Sequence, residues 1–144
     1  MEVERELVVL KDNERCTIKV CQTLSILHIV CKKHFENKEL RQNLLEVMEL
    51  IKAHKIRYFL GDVRSLHYMK MEDANWLSTT ILPVMKICSL QKWARVENPN
   101  SMIELNSLQL KHKLEFEETC KHELQFESFV DEESALHWLL FSEE

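Results

Sequence analysis

Asp62 and Arg64 are the residues of this chain best placed to do chemistry. They stand two apart at the end of the apolar run Ile56-Arg57-Tyr58-Phe59-Leu60, so on extended backbone both project to one side. A carboxylate and a guanidinium at a strand end either hold each other as an ion pair or present a polar edge to a ligand or partner. His67 and Tyr68 follow in the connector Val63–Lys70, and Trp76 lies just inside the helical pattern that starts at Met71. Asp62, Arg64, His67, Tyr68 and Trp76 are therefore the candidate ligand- or partner-binding residues. No nucleophile has a base set beside it in the sequence, Cys31 and Cys88 included, so no catalytic residue is assigned and an enzyme is not expected.

Gly61, beside that pair, is the only glycine in 144 residues. Loops that cradle phosphates need several glycines so that backbone amides can approach the anion, and neither G-x-x-x-x-G-K-[ST] nor G-x-G-x-x-G can be written with one. The G-x-S-x-G nucleophile elbow is excluded for the same reason. The histidines are scattered, and no H-x-x-x-H, H-E-x-x-H or C-x-x-C spacing occurs, so neither a metal site nor a cofactor is expected.

Five cysteines, an odd number without C-x-x-C pairing, read as free thiols acting as small apolar residues. With an acidic N-terminal segment, Met1 to Glu6, in place of a basic-then-apolar leader, a cytoplasmic setting is expected. Nineteen basic residues against 24 acidic ones, a net charge of −5, argue against nucleic acid as a partner. Trp76, Trp93 and Trp138 then read as core or rim anchors rather than a base-stacking platform. No apolar run approaches the roughly 18 residues that a membrane span needs, so no membrane insertion is expected.

These residues must be positioned by a single domain spanning 1–144, with residues 1–13 as an N-terminal arm. Leu7 to Leu10 reads as a short strand or a packed part of that arm. Cys16 to Val20 alternates, and Ile26 to Cys31 is nearly continuous apolar around His28; the short link between them makes an antiparallel hairpin. Leu40, Leu44, Val47, Met48 and Ile51 line one face of a helix from Glu36 to His54. Ile56 onward is the most buried strand. The next helix runs from about Met71 to Cys88, and Pro83 predicts a kink or an early end near Leu82.

Trp93 to Glu97 is a strand with Trp93 and Arg95 opposite Ala94 and Val96. Ser101 is placed to cap a third helix, Met102 to about Leu114. Leu124 to Val130 is the last strand, and Asp131 caps a final helix carrying Ala135, Leu136, Trp138, Leu139 and Leu140. Alternation of strands and helices means crossovers, hence an α/β fold with a mixed, mostly parallel sheet of about five strands, four helices and an opening hairpin.

That order resembles the STAS-like superfamily, the sulfate-transporter and anti-sigma-factor-antagonist domains with their small stand-alone bacterial relatives. The resemblance covers residues 14–141 and rests on the hairpin, on Ile56–Asp62 as a strand ending in Asp, on the connector Val63–Lys70 and on the helix from Met71. The closing run Phe129-Val130-Asp131-Glu132-Glu133-Ser134-Ala135-Leu136-His137-Trp138-Leu139 is similar to the strand-then-helix end of these proteins. Antagonists of the family open the helix with an Asp-Ser-Ser-Gly type motif whose serine is phosphorylated. Here Lys70-Met71-Glu72-Asp73 stands at that place, with Met71 at the phosphoacceptor position. The resemblance therefore implies a regulatory, protein-binding module without that switch.

A protein partner is the expected ligand, and a homodimer is compatible with an exposed edge. An alternative is a carrier of a small apolar or lipid-like ligand, with Met48, Met69, Met71 and Met85 lining a pocket. That alternative requires a cavity beneath the first two helices.

Overall fold

A computed structural model describes residues 7–116 and 124–142, and Cys120 and His122 lie outside the described residues. The strands are β1 Val8–Asp12, β2 Cys16–Cys21, β3 Ile26–Cys31, β4 Tyr58–Asp62, β5 Lys92–Val96 and β6 Gln125–Phe129. They form one sheet in chain order, β1-β2-β3-β4-β5-β6. The first three are antiparallel neighbours, and β3 to β6 run parallel. The sheet thus has six strands, one more than expected, because Val8–Asp12 is not a loose arm. The sequence left strand and arm both open there because Val8, Val9 and Leu10 are all exposed, and the pairing with β2 shifts register between Val9 and Lys11, so no alternation survives.

Parallel strands laid down in chain order need a crossover helix between each pair, and crossovers of one hand put those helices on one face. Helix α1 is Asn37–His54; α2 is continuous through Met71–Trp76, Leu77–Ile81 and Leu82–Ile87; α3 is Ile103–Phe116. Val47, Met48 and Ile51 of α1, Leu77, Ile81, Leu82 and Met85 of α2, and Leu110 of α3 pack with Ile18, Leu27, Phe59, Trp93 and Phe126 on that face. The last helix, α4 Glu132–Phe141, covers the other face with Ala135, Leu136 and Leu139 against Ile26, Leu60, Ala94 and Val96. Asp131 caps it as the sequence indicates, accepting from the Ser134 amide at 2.7 Å.

Pro83 does not end α2. The Leu77–Ile81 segment ahead of it is π-helical, with the Leu82 amide bonded to the Leu77 carbonyl. Proline lacks the amide that an α-turn requires, and widening the preceding turn absorbs that loss while keeping Leu77, Ile81, Leu82 and Met85 buried. Thr79 contributes its hydroxyl, which donates to the Asn75 carbonyl at 2.9 Å. Ser101 does not act as the expected cap of α3; its hydroxyl donates to the Asn98 carbonyl.

Candidate functional site

The carboxyl ends of the parallel strands, where open α/β sheets place their sites, carry three side-chain clusters and one cavity. Strand register decides which groups share a face. Val30, Asp62 and Val96 form one cross-strand row, and Ile29, Gly61 and Arg95 form the next. The first row faces α4, while the second faces the three-helix side.

On the α4 side, buried Asp62 is gripped by Arg64. Arg64 Nε donates to Oδ1 at 3.0 Å, Nη2 donates to Oδ2 at 2.6 Å, and the Arg64 amide adds a bond of 3.2 Å to Oδ1. The pair expected from the sequence therefore exists, and both carboxylate oxygens are committed to one guanidinium. Beside it, His28 Nε2 lies 2.9 Å from Glu132 Oε2, tying the first turn of α4 to β3. This hydrogen bond from His28 holds the Glu132 carboxyl at about 2 against the opposing effect of burial, with contact to Asp62 and the charge of Arg64 adding to it. Among the described residues, Arg15 Nε and His28 Nδ1 are the buried side-chain polar atoms without a hydrogen bond.

His67 and Tyr68 belong to a second cluster. The His67 amide donates to His34 Nδ1 at 3.1 Å, which leaves His34 Nε2 as the proton-bearing nitrogen facing Glu36 Oε2 at 2.9 Å. The His34 ring stacks on His67 and lies tilted 4.5 Å from Tyr68. Glu36 gathers the group, since His34, the Tyr68 hydroxyl and Lys70 all donate to it and hold its carboxyl at about 2. The Met102 amide donates to the His67 carbonyl, so the connector is also tied to the start of α3.

Trp76 is in a third cluster, half-buried against the core with the Arg41 guanidinium over its ring. Arg41 Nε and the Asn37 amide both donate to fully buried Asp73. Acids at 72 and 73 look like ordinary complements to a helix dipole, but Asp73 is a crosslink between the starts of α1 and α2. The five sequence-selected residues thus share one end of the sheet but divide among three local networks.

A cavity lies beneath the first two helices, where the carrier alternative required one, bordered by Leu40 and Leu44 of α1 and Leu77 of α2. It encloses about 40 Å³ at the same end of the sheet and is lined by Ile29, Cys31, Phe59, Gly61, Leu66 and Arg95, among others. Of the four methionines proposed to line a pocket, Met69 alone borders it; Met48 and Met85 are packed into the core and Met71 points to solvent. Cys31 has its thiol pushed up to about 12 by burial, with nearby Cys16 adding, so it is no nucleophile there.

Arg95 was passed over by sequence reasoning, although an arginine on the inward side of a buried strand was the available signal. Its Nη1 donates to Asn106 Oδ1 at 2.7 Å and Ser107 Oγ at 3.2 Å, and Ser107 passes the link to Glu97 at 2.5 Å. Among the described residues, no group of three or more His, Cys, Asp or Glu side chains could hold a metal ion. Among the same residues, no helix is long and apolar enough to cross a membrane.

No protein-family model matches the chain, and no curated protein matches it.

Proposed function

We propose that the chain is a non-enzymatic regulatory module of STAS-like plan that binds a protein partner through the connector at the carboxyl end of the sheet. The observation that carries this reading is a loop organised in advance to display apolar groups. The connector is held by the His34–His67 hydrogen bond, by the Glu36 network and by the Met102 amide. From that fixed platform Tyr68, 41% exposed, Met71, 75% exposed, and Met102, 61% exposed, meet solvent. A partner docking there orders little new chain, which lowers the entropy cost of binding. Aromatic groups on rigid supports are the usual anchors of interfaces.

Nearby acids and bases support binding over catalysis, because they are spent on one another: Asp62 on Arg64, Glu36 on His34, Tyr68 and Lys70, and Asp73 on Arg41. The opening hairpin, the strand ending in Asp62, the connector and the helix from Met71 support the STAS-like plan. Met71, the first residue of α2, carries no hydroxyl, so a phosphoryl group has no acceptor at that position. A lipid-like cargo gains no support, since about 40 Å³ has no room for an acyl chain.

A photo-crosslinking amino acid in place of Met71 is expected to trap one partner of defined mass in cells of the source organism. The same group in place of Ile87, at the other end of α2 and about 24 Å away, is expected not to. Tyr68→Ala should cut the adduct at least tenfold while the chain still unfolds in one cooperative transition. Equal trapping at both positions, or indifference to Tyr68→Ala, would remove the connector as the binding surface.

A further inference from the structure

The chain's only glycine stands in the second of its four parallel strands, where nothing in the backbone asks for one. Gly61 has no positive φ, and a Cβ placed on it would meet Phe59 at 3.7 Å, Ile29 at 3.8 Å and Trp93 at 4.0 Å, all ordinary contacts. Glycine inside a strand weakens it and commonly marks a place where something approaches closely. Here the missing side chain opens the cavity wall beside Arg95, its neighbour in register on β5.

Arg95 is itself buried, with its guanidinium packed over the Trp93 and Phe126 rings, 5.1 and 5.6 Å from their centroids. Its bonds to Asn106 and Ser107 both leave from Nη1. Glu97 balances the charge at one remove, through the Ser107 hydroxyl, and makes no direct bond to the guanidinium. A buried guanidinium beside a cavity is suited to a planar anion, whose oxygens match the fork. Apart from Asn43, whose amide donates to Cys16 Sγ, and Cys31, which stays a neutral thiol, the rest of the wall is apolar, Phe35, Leu40, Leu66 and Met69 included. Some 40 Å³ of space is room for about three to four water molecules, the bulk of a two- or three-carbon carboxylate.

We infer that this cavity is a binding site for a short free monocarboxylate, with its carboxylate on Arg95 and its small apolar tail under the connector against Leu66 and Met69. The inference does not rest on the partner-binding reading, because its test measures ligand binding to the chain alone.

Titration calorimetry with propionate, at ionic strength fixed by chloride, is expected to give one saturable site. Propionamide, the neutral isostere, should bind at least tenfold more weakly. The decisive variant is Gly61→Ala. Its methyl group fits the wall without clash, so the protein should melt at or above the wild-type temperature while losing at least tenfold in propionate affinity. Arg95→Gln should abolish binding, and since that variant alters a buried network, Gly61→Ala remains the deciding one. Absence of saturable binding at millimolar propionate, equal affinity for propionamide, or undiminished binding by Gly61→Ala would each overturn the assignment.

Discussion

Single residues at the strand ends do structural work that sets how the protein answers to acid. Glu132 is held at about 2 in the folded chain against an ordinary value of 4.5, chiefly by the hydrogen bond from His28. A carboxyl whose folded value is depressed contributes stability above its unfolded value and loses it as the pH falls toward the folded one. The Glu132 contribution is therefore complete above about 4.5 and fades between there and about 2. Glu132→Gln is expected to flatten the fall in unfolding free energy across that window, measured by urea denaturation at stepped pH. It should not abolish the fall, because Glu36 is depressed over the same range by His34, Tyr68 and Lys70.

Much of this was legible in sequence and some was not. Asp62 and Arg64 announced each other by their spacing. The Glu132 link to His28 joins residues 104 positions apart, and no local pattern encodes it.

Among the elements, α4 shows how a buried charge can hold a helix in place. Lys92, buried in β5, donates from Nζ to the carbonyls of Trp138 and Ser142 at 3.2 and 2.8 Å and to the Ser142 hydroxyl at 2.7 Å. The last carbonyls of a helix have no partner within it, and a cation there satisfies them and the dipole together. Lys92→Met is expected to cost about 1–3 kcal/mol, the range for buried acceptors left unpaired. Hydrogen exchange should speed up selectively in the last turn of α4, at Leu140 and Phe141. Uniform acceleration through the whole domain would refute the capping role.

The helix bounds themselves were readable from apolar spacing and from the Asp131 cap. The π-helical turn ahead of Pro83 was not, because sequence marks where an α-turn must fail but not whether the chain stops or widens. Strand β1 could not be told from a packed arm for a related reason: an edge strand exposed on both sides leaves no alternation to read.

Over the whole molecule, the sheet separates two apolar layers. Ile51 is buried among α1, α2 and the inner strands, and Leu139 is buried on the opposite face beneath α4. Truncating a buried Ile or Leu to Ala costs about 2–5 kcal/mol, and effects at sites without shared partners add to within about 0.5 kcal/mol. Ile51→Ala and Leu139→Ala should therefore be additive in denaturant unfolding, with one transition in each variant. Two separate transitions would mean that the α4 layer unfolds on its own. The fold class followed from the order of elements alone, since each crossover needs a parallel partner. The cavity could not follow from it, because an empty space belongs to no segment of the chain.

That space also gives the molecule a built-in spectroscopic label. With one glycine in 144 residues, selective ¹⁵N-glycine labelling reduces the amide spectrum to a single cross-peak, and its amide sits in the cavity wall beside Arg95. No assignment is needed to know which residue that peak reports. Whatever enters the cavity, or alters the register of the two central parallel strands, must move it.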